Sequence, residues 1–163
     1  MKSLKEQMHS YAAYHQDPRN KLTHFFGVPL VTFALFLFLS WFRFTAAPDV
    51  PFTAATIFYV VVFAYYLCLD RQVALLQAPC TLALLALAEW AARLSFDISL
   101  AVFGAAMIGG WVIQLAGHAI EGKRPALADN VMQIFNAPLF LTVEVMLLLG
   151  FRKDLQEPKP LAA

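Results

Sequence analysis

"YHQDPRNKLTHFFGVPLVTFALFLFLSWF", residues 14–42, begins as a polar peptide and ends as an apolar run. Residues 22–42 carry no Asp, Glu, Lys or Arg. A helix of about 20 residues, rising about 1.5 Å per residue, crosses the hydrocarbon layer of a bilayer. Intervals of similar length free of those charges recur at 50–69 and 98–120. In lipid each segment must satisfy its own backbone hydrogen bonds, so helices are expected. The pattern predicts spans near 24–43, 52–69, 73–92 and 98–119. A tight link is expected at Asp70–Arg71 and a turn at "APDVP", residues 47–51.

The composition agrees with an all-α, polytopic membrane bundle. Of 163 residues, 60% are hydrophobic and 14% charged, and fifteen are phenylalanine. Soluble domains carry about 25% charge, and one this small cannot hide so much apolar surface. A single integral membrane domain over 1–163 is expected, with a cytoplasmic N-terminal segment at 1–22 and a polar tail at 151–163. No cleavable leader is expected, because the first apolar run follows a polar stretch and is long enough to span. No basic stripe or recognition motif points to nucleic acid. Cys68 and Cys80 lie in apolar runs and read as small hydrophobes.

The last apolar run, 134–150, is short and holds Pro138 and Glu144. It reads as either a short fifth span or a re-entrant helix. An acid at membrane depth should face protein or a polar cavity, and an interfacial position is the alternative. Lys2, Lys5, Arg19, Lys21, Arg71, Lys123 and Arg124 fall on one side if the N-terminus is cytoplasmic. Arg43 and Arg93 fall on the other. Arg152, Lys153 and Lys159 join the first set only if the last run does not cross, which favours four spans plus a dipping helix.

That topology puts every histidine on one face. His9 and His15 precede the first span, His24 opens it, and His118 closes the fourth. Converging imidazoles suit iron or zinc. His9 and His15 are six apart and do not share a helical face. Pro18 marks a turn between His15 and His24, with Asn20 as a cap of the next helix. In "WVIQLAGHAIEGKRPA", residues 111–126, Gln114 and Glu121 flank His118 at helical spacing, and Gly117 permits close approach. Glu121 could orient an imidazole, ligate the metal, or pair with Lys123 or Arg124 at the surface. Tyr11 and Tyr14 read as interfacial anchors. "GAAMIGG", 104–110, offers small residues for helix packing. Ordinary interfacial histidines remain the competing account, since none show the tight spacing of a zinc-protease helix.

"YHQDPRNKLTHFFGVPL" (14–30), "WVIQLAGHAIEGKRPAL" (111–127) and "NAPLFLTVEV" (136–145) together resemble the DUF962, or Mpo1-like, family across nearly the whole chain. The resemblance implies an Fe(2+)-dependent dioxygenase that shortens a long-chain 2-hydroxy fatty acid by one carbon, using dioxygen, in fatty acid alpha-oxidation. It carries His15, Asn20 and His24 in the first motif, and Gln114, His118, Glu121 and Pro125 in the second. His9 is less firmly part of the pattern. The expected metal ligands are therefore His15, His24 and His118, with His9 as a fourth. Asn20, Gln114 and Glu121 are expected to support them or touch substrate, and Lys123 or Arg124 to hold its carboxylate. The expected setting is a bacterial inner membrane with the site on the cytoplasmic side, or the endoplasmic reticulum of a eukaryote. Two other classes stay open on the residues alone: a zinc-dependent membrane lipid hydrolase, and a small transporter or scaffold.

Overall fold

A computed structural model describes residues 3–45, 51–124 and 133–155. Pro125, the expected turn over 47–50 and the tail beyond 155 lie outside them. The described elements are α1 (Leu4–Ala12), α2 (Pro18–Ser40), β1 (Arg43–Thr45), β2 (Pro51–Thr53), α3 (Ala54–Leu69), α4 (Arg71–Ala91), α5 (Phe96–Glu121) and α6 (Gln133–Leu148). A final 3-10 turn spans Lys153–Leu155.

Local chemistry explains the boundaries. In α1, Ser3 and Glu6 close a reciprocal capping box. Leu4, Met8 and Tyr11 repeat at helical spacing and are buried, so the helix has one apolar face. α2 starts earlier than expected. Pro18 fits the first helical turn, where its missing N–H costs nothing. Asp17, not Asn20, is the cap, accepting the Arg19 N–H at 2.8 Å. Asn20 is thereby released to the interior, where it is fully buried. Asp70 alone links α3 to α4, ending one helix and capping the next through the Val73 N–H.

Long-range contacts define two ends. Asn20 meets Glu121 at one. At the other, Ser40 and Thr53 donate hydroxyls to Glu89, and the Trp41 indole donates to Ser99 at 2.8 Å. Hence α2 and α4 run together and α5 runs against them. α2 and α5 pack with backbones almost touching. A Cβ on Gly27 would lie 2.8 Å from the Gly110 carbonyl oxygen, and one on Gly110 would lie 2.8 Å from Val31 Cγ2. Within 104–110 it is Gly110 that serves this contact, since Gly104 and Gly109 face open space. The surface is apolar, with Ile108 67% exposed. That suits a lipid surround rather than water.

The four expected spans are all helices, one of them shorter than expected. Among the described residues, three helices, α2, α4 and α5, are long and apolar enough to cross a bilayer. The segment expected at 52–69 is the 16-residue α3, because Pro51–Thr53 pair as an antiparallel strand with Arg43–Thr45. At about 1.5 Å per residue α3 reaches roughly 24 Å, short of the ~30 Å hydrocarbon layer. α6 has the same length. α5 closes with Glu121 at the histidine end, and after α6 Arg152 pairs with Asp70 at that same end, 2.8 Å apart. The chain after α6 therefore reaches the histidine end. Glu144 pairs with Lys21 at 2.7 Å, which is how an acid in this apolar helix is accommodated.

Candidate metal centre

His15 sits in the turn between α1 and α2, His24 nearly two turns into α2, and His118 in the last turn of α5. Their relative exposures are 1%, 2% and 5%. One nitrogen from each ring falls within 4.8 Å of the others. Ring centroids are 4.3 Å apart for His15–His24, 4.8 Å for His15–His118 and 5.0 Å for His24–His118.

The backbone sets the orientation of two rings. His15 Nδ1 donates to the Tyr11 carbonyl at 2.8 Å, and His24 Nδ1 donates to the Asn20 carbonyl at 3.0 Å. With both Nδ1 atoms carrying protons, each neutral ring presents a bare Nε2 lone pair. Those two Nε2 atoms are 3.1 Å apart. Lone pairs so placed repel unless a cation or proton lies between them. Tetrahedral ligands about 2 Å from a metal lie roughly 3.3 Å from one another. Two nitrogens already have that separation, and the third lies up to about 1.5 Å beyond it. The donor set fits a divalent metal that accepts imidazole, such as iron or zinc. Burial pushes the His15 pKa down to about 3, so the ring stays neutral, as ligation requires.

Glu121 and Lys123 hold His15 in place. The Glu121 carboxylate accepts the Gln16 N–H at 2.9 Å and the Asn20 amide at 2.6 Å. Lys123 Nζ donates to the Ala13 carbonyl at 2.7 Å and to Gln16 Oε1 at 3.2 Å, and lies 3.3 Å from Glu121. The end of α5 thus clasps the turn carrying His15. Lys123 is committed to this clasp, while Arg124 is exposed. Asn20 donates to Glu121 and to the Tyr14 carbonyl at 3.3 Å, and its Nδ2 lies 3.5 Å from His118 Nδ1. The Tyr14 and Glu121 acceptors fix its amide orientation and leave Oδ1 against Gly117, buried with no hydrogen-bond partner. Gly117 makes room for Asn20. A Cβ there would overlap both Asn20 Oδ1 and the Thr23 hydroxyl.

Of the seven expected site residues, five meet here: His15, His24, His118, Asn20 and Glu121. Gln114 lies one turn from His118 but packs against Gly27 and lines a separate cavity. His9 stays outside the group of three, with Nε2 buried and without a hydrogen-bond partner. Two aromatic residues were not anticipated. Tyr11 stacks flat on His15, centroids 4.2 Å apart at 4°, and Phe140 backs Tyr11 at 4.5 Å. The i, i+4 spacing of Tyr11 and His15 was the available signal.

Comparison with known proteins gives the same picture. Residues 1–148 match the model of the family described as "2-hydroxy-palmitic acid dioxygenase Mpo1-like". The chain is 33% identical over 157 residues to the 2-hydroxy-palmitic acid dioxygenase MPO1 of Saccharomyces cerevisiae, covering 94% of this chain and 85% of that protein. No solved structure matches it. The match over residues 1–148 and the 33% identity over 94% of the chain, with three histidines gathered at one end of an apolar bundle, make this chain a member of the Mpo1-like family.

Proposed function

We propose that the protein is an Fe(2+)-dependent dioxygenase that converts a long-chain 2-hydroxy fatty acid to the acid one carbon shorter, with His15, His24 and His118 holding the metal. The family membership and the yeast relative's name support the substrate class. The observation that carries the metal assignment is the 3.1 Å approach of the two bare Nε2 atoms. The overall reaction balances as hydroxy acid plus dioxygen giving the shortened acid, carbon dioxide and water. The bond that breaks joins C1 to C2, C2 becomes the new carboxyl carbon, and dioxygen is the oxidant. Bound ferrous iron would supply a Lewis acid for the hydroxyl and carboxylate and a centre for reducing dioxygen.

The chain's own residues supply placement. Tyr11 and Asn20 carbonyls hold the His15 and His24 tautomers. Glu121 and Asn20 brace the ring cluster. The cluster lies where α2 and α5 change from apolar to polar. A lipid acid can present its head there with its tail still in the membrane. Pulling a sixteen-carbon tail into water would cost about 10 kcal/mol at ~0.8 kcal/mol per methylene. The site end is proposed to face the cytoplasm: Lys5, Arg19, Lys21, Arg71, Lys123 and Arg124 belong to it, against Arg43 and Arg93 at the other.

The test is purification under nitrogen, loading with ferrous iron, and incubation with 2-hydroxypalmitate and oxygen. The fifteen-carbon acid is expected from the native chain and not from His118→Ala. Full activity with zinc, or activity retained by His118→Ala, overturns the proposal.

A further inference from the structure

Two hollows meet at Val28, one helical turn beyond His24. One lies among α2, α3, α5 and α6, with Gln114 and Trp111 on its wall, and holds about 100 Å³. The other is a groove between α2, α4 and α6 of about 810 Å³. A water-sized group takes about 30 Å³. On that scale a sixteen-carbon tail needs roughly 400 Å³. The groove is about eight times the smaller hollow and is the one with room for the whole tail.

The groove is also placed and lined for that load. Phe25, next to His24 along α2, and Val28, one turn on, line its upper part. Along α4 it runs from Gln72 to Leu84, about 18 Å at 1.5 Å per residue. Two of its polar groups engage each other: the Thr142 hydroxyl donates to Gln77 Oε1 at 2.5 Å. The surface left for a ligand is hydrocarbon. Leu75, Leu76 and Leu149 on its rim are 54%, 58% and 67% exposed, so it opens sideways from the bundle. In a bilayer that opening faces acyl chains.

We propose that the tail of the 2-hydroxy acid lies in this groove, entering sideways from the membrane, and that Leu84 at its deep end sets the longest tail accepted. The assignment rests on the proposed function. Cys80 lines the groove and Cys68 does not, and the chain has no other cysteine.

Cys80 therefore reports occupancy without turnover. The metal-loaded Cys68→Ser protein, in nanodiscs under nitrogen, is treated with N-ethylmaleimide. Saturating 2-hydroxypalmitate is expected to slow Cys80 modification at least tenfold, and 2-hydroxyhexanoate to leave it unchanged. In a Cys80→Ser protein, Cys68 modification is expected to be indifferent to either acid. Leu84→Trp should move the turnover preference to shorter acids at unchanged iron content. If Cys80 reacts at the same rate with and without the long acid, the groove assignment is overturned, and product formed on admitting oxygen to that sample leaves the proposed reaction standing. Protection of Cys80 with no product afterwards upholds the groove and overturns the reaction.

Discussion

His15 Nε2 stands 3.1 Å from His24 Nε2, with both Nδ1 protons already committed to backbone carbonyls. The arrangement stores a repulsion that a cation relieves, so the metal should stabilise the fold as well as serve chemistry. At a ferrous iron concentration 100 times the Kd, binding adds about 2.7 kcal/mol. For a chain of this size that raises Tm by roughly 5–10 °C. Thermal unfolding in detergent with iron, with chelator, and for His15→Ala checks this. The variant should lose the iron-dependent rise.

Glu121 joins the Gln16 backbone to the Asn20 amide across 105 and 101 residues of sequence. Glu121→Gln keeps the shape but sets an NH₂ against one of those donors. Iron affinity should fall about 10- to 100-fold, as is usual for groups that orient metal ligands. Anaerobic iron titration measures it. Unchanged affinity would assign the carboxylate to surface pairing with Lys123.

Gly117 lies where α5 meets Asn20 and Thr23. Gly117→Ala should cost about 1–3 kcal/mol of stability through overpacking, and iron binding with it. Adding Thr23→Ala, which removes one of the two clashing atoms, should return part of that loss. Gly109→Ala, facing open space, should be neutral or slightly stabilising in the helix. Thermal shifts of the four proteins decide between a packing role and a merely tolerated glycine.

Lys21 and Glu144 form a part-buried pair, with side-chain exposures of 29% and 14%. Lys21→Met strands an acid inside an apolar helix and should destabilise by about 1–2 kcal/mol, discounted for residual solvent. The double variant Lys21→Met with Glu144→Leu should recover most of it. Chemical or thermal unfolding of the set gives the coupling.

Much of this was legible beforehand. Charge-free intervals located α2, α3 and α5, since lipid tolerates few alternatives to an apolar helix. The one-face placement of His15, His24 and His118 followed from the alternation of spans. What escaped was set by short-range chemistry that periodicity does not report. Pro18 and Asp17 start α2 early and so bury Asn20 instead of using it as a cap. The Pro51–Thr53 strand shortens α3. Tyr11 looked like an interfacial anchor because the packing of Phe140 behind it, from α6, is not visible in the local sequence. The clasp of Lys123 on Ala13 and Gln16 took away a side chain expected to meet substrate.

X-ray absorption at the iron edge of the anaerobically loaded protein tests the central claim most directly. Three imidazole nitrogens at about 2 Å are predicted, with the ring-scattering signature falling by one third in His15→Ala, His24→Ala or His118→Ala. An iron environment of oxygen or sulfur, or a spectrum untouched by those substitutions, would contradict it.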